Sequence, residues 1–436
     1  MPSNMLALTR MVSPLQRIQR FLPLSLLPLL VLLTFILSSL TSCSPHADWV
    51  EFRGAGGRGV SPNRISPPLG IRWKIRLQDD GQKIDSFNPP VVIGNTIYFG
   101  SGDGNFYALD AESGFMRWIF RSGAEINSIP YADDRRVYFG SQDGKLYALS
   151  RDDGQEVWSF PTDSQINSLV RRYKDHIIFV GDADAVYFLS PEGELNFSFD
   201  NPGWLHFTFL IADGVMYFAT GPQTDQVGPF DIERREFLWF LPFDETNSTW
   251  YSVASLRNNL VYFGTADIHS RFTNFMRGTE LGFYALDRRT GKIIWSRTVD
   301  GVFPSGWDIF EQSDFFVRNM YMLDFMSPVV WKNLVIFTGG DAVARAFDAN
   351  TGKLRWEQHF DMPIASSATI AGNRLYFGLY GDFYTPPRLV CLDARSGKLL
   401  WSMETEGSLL SAPVIASNRI IFGTDRSVFY VLEQVF

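Results

Sequence analysis

The chain has 436 residues, 45% of them hydrophobic, with 36 glycines and a formal net charge of -8. Three of its basic residues, Arg10, Arg17 and Arg20, lie in the first 42 positions, so the rest of the chain is more acidic still. That balance excludes a nucleic-acid binder, which needs clustered lysine and arginine against phosphate. The 12 Trp, 16 Tyr and 38 Phe, without long stretches of 3.6-residue periodicity, predict an all-β chain.

Residues 1–20 are basic and free of acid, and Phe21–Leu40 is a continuous apolar run ending in Leu40-Thr41-Ser42-Cys43. A basic segment, an apolar core and small residues before a cysteine make an export signal, predicted over 1–42. The tail is similar to the lipobox of bacterial lipoproteins, which implies cleavage before Cys43 and acylation of its thiol. The alternative is a spanning anchor, for which twenty apolar residues suffice. Both place the rest of the chain outside the cytoplasm. Ser44 rather than Asp follows the cysteine, which favours the periplasmic face of an outer membrane where the organism has one. Cys391 is the only other cysteine, so with Cys43 acylated no internal disulfide forms. Residues 43–70 are expected to be a tether and lead-in, and 71–436 the folded domain.

From residue 88 onward the chain repeats itself. Asn88–Phe120 and Asn127–Phe160 align almost letter by letter, and further copies begin near Asn167, Leu205, Ser252, Ser327, Ser366 and Ser411. Each copy reads as four short strands, as in PPVVI, TIYFGS, FYALD and FMRWIF of the first. Short strands joined by tight Gly, Asn and Asp turns are the mark of propeller blades. Between the third and fourth strands a turn recurs as Asp110–Gly114, Asp287–Gly291, Asp348–Gly352 and Asp393–Gly397. Asp there bonds its own backbone and Gly takes the positive-φ position. Four residues later stands a tryptophan (Trp118, Trp158, Trp295, Trp356, Trp401), placed to fill the gap between blades. The third copy carries Phe197 instead, and the fourth keeps Trp239. The eighth stops after three strands, and Ile71–Leu77, with Trp73 in register, is the predicted outer strand that completes it. The expectation is an eight-bladed β-propeller of four-stranded blades, closed by an N-terminal strand.

The Tyr-Ala-Leu-Asp…Thr-Gly…Trp pattern resembles the repeats of the pyrroloquinoline-quinone (PQQ) enzyme family, over nearly all of 71–436. Asp48-Trp49-Val50-Glu51-Phe52-Arg53-Gly54 is similar to the lead-in of many secreted members. A lipoprotein of this build also resembles the BamB-type scaffolds of the outer-membrane β-barrel assembly machinery. The family resemblance raises PQQ and calcium as cofactors. The vicinal disulfide that accompanies the quinone in those enzymes has no counterpart here, and no Cys-x-x-Cys-His haem motif occurs. Asp103-Gly104 and Asp182-Ala183-Asp184 are hairpin turns rather than calcium loops, and His46, His176, His206, His269 and His359 lack metal-ligand spacing. No catalytic residue, cofactor or metal is therefore assigned.

The irregular stretches are Gly221–Gly228, Thr265–Leu281, Asp300–Asp324 and Gly378–Arg388. In a propeller these connections all emerge on one face, the usual sign of a binding face in a repeat protein. The longest carries Phe303, Trp307, Phe310, Phe315, Phe316 and Tyr321, and the others add Phe272, Phe275, Phe383 and Tyr384. These aromatics are the candidate partner-binding residues, and the longest stretch is read either as a partner site or as a plug of the channel. The reading is a non-catalytic envelope scaffold that binds a protein partner. A quinone-binding oxidoreductase relative and a carbohydrate-binding propeller are the alternatives.

Overall fold

The computed structural model describes residues 48–77, 88–182, 185–200, 208–219, 226–242, 254–266, 279–301, 327–381 and 384–435. Cys43 lies outside them, as do His46, His206 and His269. Eight antiparallel sheets follow one another along the chain as the blades of a propeller, and each begins with a short inner strand. The inner strands are Val91–Ile93, Tyr131–Ala132, Arg171–Tyr173, Leu210–Ala212, Ser255–Arg257, Val329–Trp331, Thr369–Ala371 and Val414–Ala416. Each lies a few residues beyond the start of a predicted repeat.

The eighth blade is closed by Leu69–Arg76, which pairs antiparallel with Val428–Gln434. The closing strand is the predicted one, extended by two residues at its start. It removes the sheet edge that an incomplete blade would expose. Trp73 sits where the outer-strand tryptophans of the other blades sit, and its Nε1 donates to Ala111 O at 3.1 Å.

One interaction joins successive blades. Outside blades 3 and 7, the tryptophan at this position lies flat on the turn glycine of the next blade, and its indole N–H donates to a carbonyl of that turn. Trp118 donates to Arg151 O at 2.9 Å, Trp158 to Pro191 O at 2.9 Å, Trp239 to Arg288 O at 3.1 Å, Trp295 to Ala349 O at 2.9 Å and Trp356 to Ala394 O at 3.2 Å. A Cβ on Gly154, whose φ is +72°, would stand 2.6 Å from the Trp118 ring, so only glycine fits. The third blade changes all the partners at once. Phe188 replaces the usual alanine of the third strand and stacks on Phe197 at 4.1 Å. Arg235, at φ +58°, takes the place of the turn glycine and lays its guanidinium 4.2 Å from the Phe197 ring centroid.

The turn aspartates act as expected. Asp110 Oδ1 accepts from the backbone N–H groups of Glu112 and Ser113 and from Ser113 Oγ, and Arg117 pairs with Oδ2 at 2.7 Å. Burial alone would raise the Asp110 pKa, but these donors outweigh it and hold the carboxyl at about 2. A depressed carboxylate adds stability above its unfolded value and loses it as pH falls through its folded value. Unfolding free energy is therefore expected to drop between about pH 4 and pH 2, with Asp110 contributing on the order of 2 kcal/mol. In Asp110→Ala that part of the acid limb should flatten; an unchanged limb in denaturant titrations across this range would contradict the assignment.

Candidate functional site: two unlike faces of the ring

Turns between first and second strands and between third and fourth strands share one face of a propeller. All of these are short here, as at Gly94-Asn95 and Asn258-Asn259. The remaining connections share the opposite face. The described flanks, Ala219 and Gln226, Ala266 and Thr279, Gly301 and Ser327, and Gly381 and Tyr384, put all four predicted insertions there. Two further long connections, 77–90 between the closing strand and blade 1 and 243–254 between blades 4 and 5, leave the same face and were not among those singled out by the sequence. Of the candidate aromatics, Tyr384 is 89% exposed. Phe272, Phe275, Phe303, Trp307, Phe310, Phe315, Phe316, Tyr321 and Phe383 lie outside the described residues.

The short-turn face is closed by a segment that sequence reading treated as part of a tether. Residues 48–66 run across the ring, with Trp49, Phe52 and Arg53 each at most 2% exposed. Trp49 exchanges two backbone hydrogen bonds with Val92 of blade 1, and Val50 O accepts from Ala132 N of blade 2. Arg171 of blade 3 donates from Nη1 to Glu51, from Nη2 to Phe52 O at 3.0 Å and from Nε to Phe209 O at 2.9 Å. Arg53 Nη2 donates to Pro328 O of blade 6 at 2.7 Å. Val60–Ser61 adds a parallel fifth strand to Thr369–Ala371 of blade 7, and Ser61 Oγ donates to Ile415 O of blade 8 at 2.7 Å. The lead-in is thus a plug tied by hydrogen bonds to six of the eight blades. Its lead-in pattern was visible in the sequence; its partners, mostly backbone carbonyls and one arginine, carry no sequence signal.

The polar groups singled out in the repeats have structural partners. Asp103 accepts from Asn105 N and from the Tyr107 hydroxyl, and Asp182 accepts from Asn167 N at 3.2 Å, so both serve turns; Asp184 lies outside the described residues. His176 packs edge-on against Phe188 and Phe197, and His359 lies 3.2 Å from Glu357. Blade 6 departs from the pattern: Arg345 stands where Tyr107 stands in blade 1 and forms a buried ion pair with Asp341 at 2.6 Å. Among the described residues no three His, Cys, Asp or Glu side chains gather as metal ligands do.

Cys391 fills the small-residue position of the third strand in blade 7 and is fully buried. Burial pushes its thiol up to about 12. Since the thiolate is the reactive form, Cys391 is expected to resist alkylation at pH 8 in the folded protein and to react once denatured. Rapid labelling of the native protein at Cys391, read by peptide mass spectrometry, would contradict this packing.

Closed ring, stacked tryptophans and docking turns together define a propeller of PQQ-like repeats. The chain belongs to the family described as outer membrane protein assembly factor BamB, whose model matches residues 70–174, 143–314 and 340–435. No protein of curated function matches by sequence. Similar solved structures include BamB from Moraxella catarrhalis, with TM-score 0.62 and 16% identity over 84% of this chain and 98% of that one. The quinohemoprotein alcohol dehydrogenase from Comamonas testosteroni gives TM-score 0.67 and 15% identity over 91% and 82% of the two chains. The computationally designed Ika8 protein gives 0.61 and 14% over 81% and 97%. At these identities the likeness is one of fold, and fold alone does not assign chemistry.

Proposed function

We propose that this protein is a non-catalytic scaffold of the cell envelope, anchored through Cys43, that holds a protein partner on its insertion face. The observation that carries the reading is the asymmetry of the ring. One face is closed by the lead-in and bears only short turns, while every long connection leaves the other. Membership in the BamB-described family supports an exported protein working in outer-membrane assembly.

The quinone dehydrogenases share the fold, but the donor chemistry here does not fit their cofactor. The two cysteines cannot form a vicinal pair, Cys391 is buried within a blade, and the described Asp103 and Asp182 carboxylates are engaged in turns. No step is derived through a quinone or calcium.

A photo-crosslinker at Trp307 or Phe316, used in cells, is expected to capture a defined envelope protein. Crosslinkers on the short-turn face, for example at Glu192, should not capture it. Capture from Glu192 alone, or of no defined protein from either loop position, would overturn the reading. Purified protein mixed with PQQ and Ca²⁺ is expected to retain no quinone absorbance; stoichiometric retention would favour the oxidoreductase alternative.

A further inference from the structure

The short-turn face carries a groove of about 560 Å³ between the first turns of blades 4, 5 and 6. Gly56 and Arg58 of the plug form one wall, and Asp213, Arg257, Arg288 and Lys332 line the rest. Four cations thus meet a single carboxylate, and that one, Asp213, is bound to Arg288 at 2.8 Å. Arg58 and Lys332 are exposed, and Lys332 rests 4.5 Å from the Trp331 ring centroid. A concentration of positive charge in an acidic chain, with Arg58 and Lys332 open to solvent, suits an anion with several acceptor oxygens.

Position decides which anion. Asp48 is fixed on the same face, where its Oδ1 accepts from Gly94 N at 2.8 Å. Only four residues separate it from Cys43. However they are arranged, a peptide gains at most about 3.6 Å per residue, so an acyl anchor at Cys43 lies within about 18 Å of Asp48. A spanning anchor ending at Leu40 would lie within about 29 Å. On the anchored reading, either tether therefore keeps Asp48 on the short-turn face within that reach of the bilayer.

We infer that the groove formed by Arg58, Arg257, Arg288 and Lys332 binds the phosphate headgroup of an anionic membrane lipid. Resting on the anchored reading, this makes the short-turn face a second contact with the membrane.

Full-length protein purified from membranes is reconstituted into vesicles of phosphatidylcholine, with or without phosphatidylglycerol. A photo-crosslinker replaces Asn333, beside Lys332, or Tyr384 on the insertion face. The expected result is capture of phospholipid at position 333, raised several-fold by phosphatidylglycerol, and none at 384. The Arg58→Gln/Lys332→Gln double variant, which leaves Arg53 and Arg171 in place, should melt like the wild type and lose the increase. No lipid captured at 333, equal capture from both vesicles, or equal capture by the double variant would overturn the inference. Failure of the protein to float with vesicles would refute the anchor and not the groove. The groove is then read by titration with dihexanoylphosphatidylglycerol. A rise in melting temperature that the double variant lacks and inorganic phosphate does not reproduce upholds it. No rise, or the same rise with inorganic phosphate, overturns it.

Discussion

Replacing Arg171 by alanine is expected to lower the unfolding free energy by about 3–5 kcal/mol, as removal of one member of a buried ion pair does. The Arg171 side chain is 2% exposed and that of Glu51 is 13% exposed. Losing the guanidinium leaves the Glu51 carboxylate without its cation and the carbonyls of Phe52 and Phe209 without their donor. It also empties the space beside Gly57, where a Cβ would stand 2.5 Å from Arg171 Nη2. The loss should be greater than in Glu51→Gln, which leaves Arg171 in place on Phe52 O and Phe209 O and keeps one acceptor oxygen for either the arginine or Gly56 N. Denaturant unfolding gives the magnitude, and hydrogen exchange should show residues 49–61 opening ahead of the blades. If Arg171→Ala unfolds at the wild-type denaturant concentration, the plug is not held by this arginine.

Trp118→Ala is expected to cost about 3–5 kcal/mol, the usual result of truncating a large buried ring. The ring is 9% exposed, lies on Gly154 and 5.7 Å from Tyr98, and its indole N–H satisfies Arg151 O. The loss falls on the junction of blades 1 and 2, so the whole ring should weaken rather than one loop. Trp307→Ala is the contrasting case. On the proposed function it leaves the melting temperature near the wild-type value and abolishes partner capture, since aromatic side chains at interfaces concentrate binding energy. If both variants melt alike and low, the 300–324 segment is a structural plug, and the partner site is to be sought among the remaining insertions.

The blades were legible because their determinants are local and repeated. Asp110 and Gly114 fix a turn within five residues, and Trp118 follows at a constant distance, so the copies that keep this pattern reinforce one another. The third blade reads as degenerate for a physical reason: Phe188, Phe197 and Arg235 exchange volume and charge among three sites that no single-position pattern links. Phe188 and Phe197 are nine residues apart, but Arg235 belongs to the next blade. The lead-in was visible as a motif and invisible as a plug, because Glu51 and Arg53 are held by Arg171 and by the carbonyl of Pro328, far along the chain. The cationic groove was hidden for the same reason. Arg58, Arg257, Arg288 and Lys332 come from separate segments of the chain, and each alone looks like a solvated surface charge.

The pairing of Leu69–Arg76 with Val428–Gln434 sets a schedule for the nascent chain. Arg72 and Glu433, salt-bridged at 2.6 Å across this pairing, are 361 positions apart. On the exported reading proposed above, the amino-terminal strand leaves the export channel first, yet has no sheet to join until the last residues of the chain have followed it. Through that interval it waits as an unpaired strand, and loop closure over such a distance is slow. An exported chain with this topology therefore spends its vulnerable period in the envelope rather than in the cytoplasm. Envelope chaperones and proteases, not cytoplasmic ones, would then govern its yield.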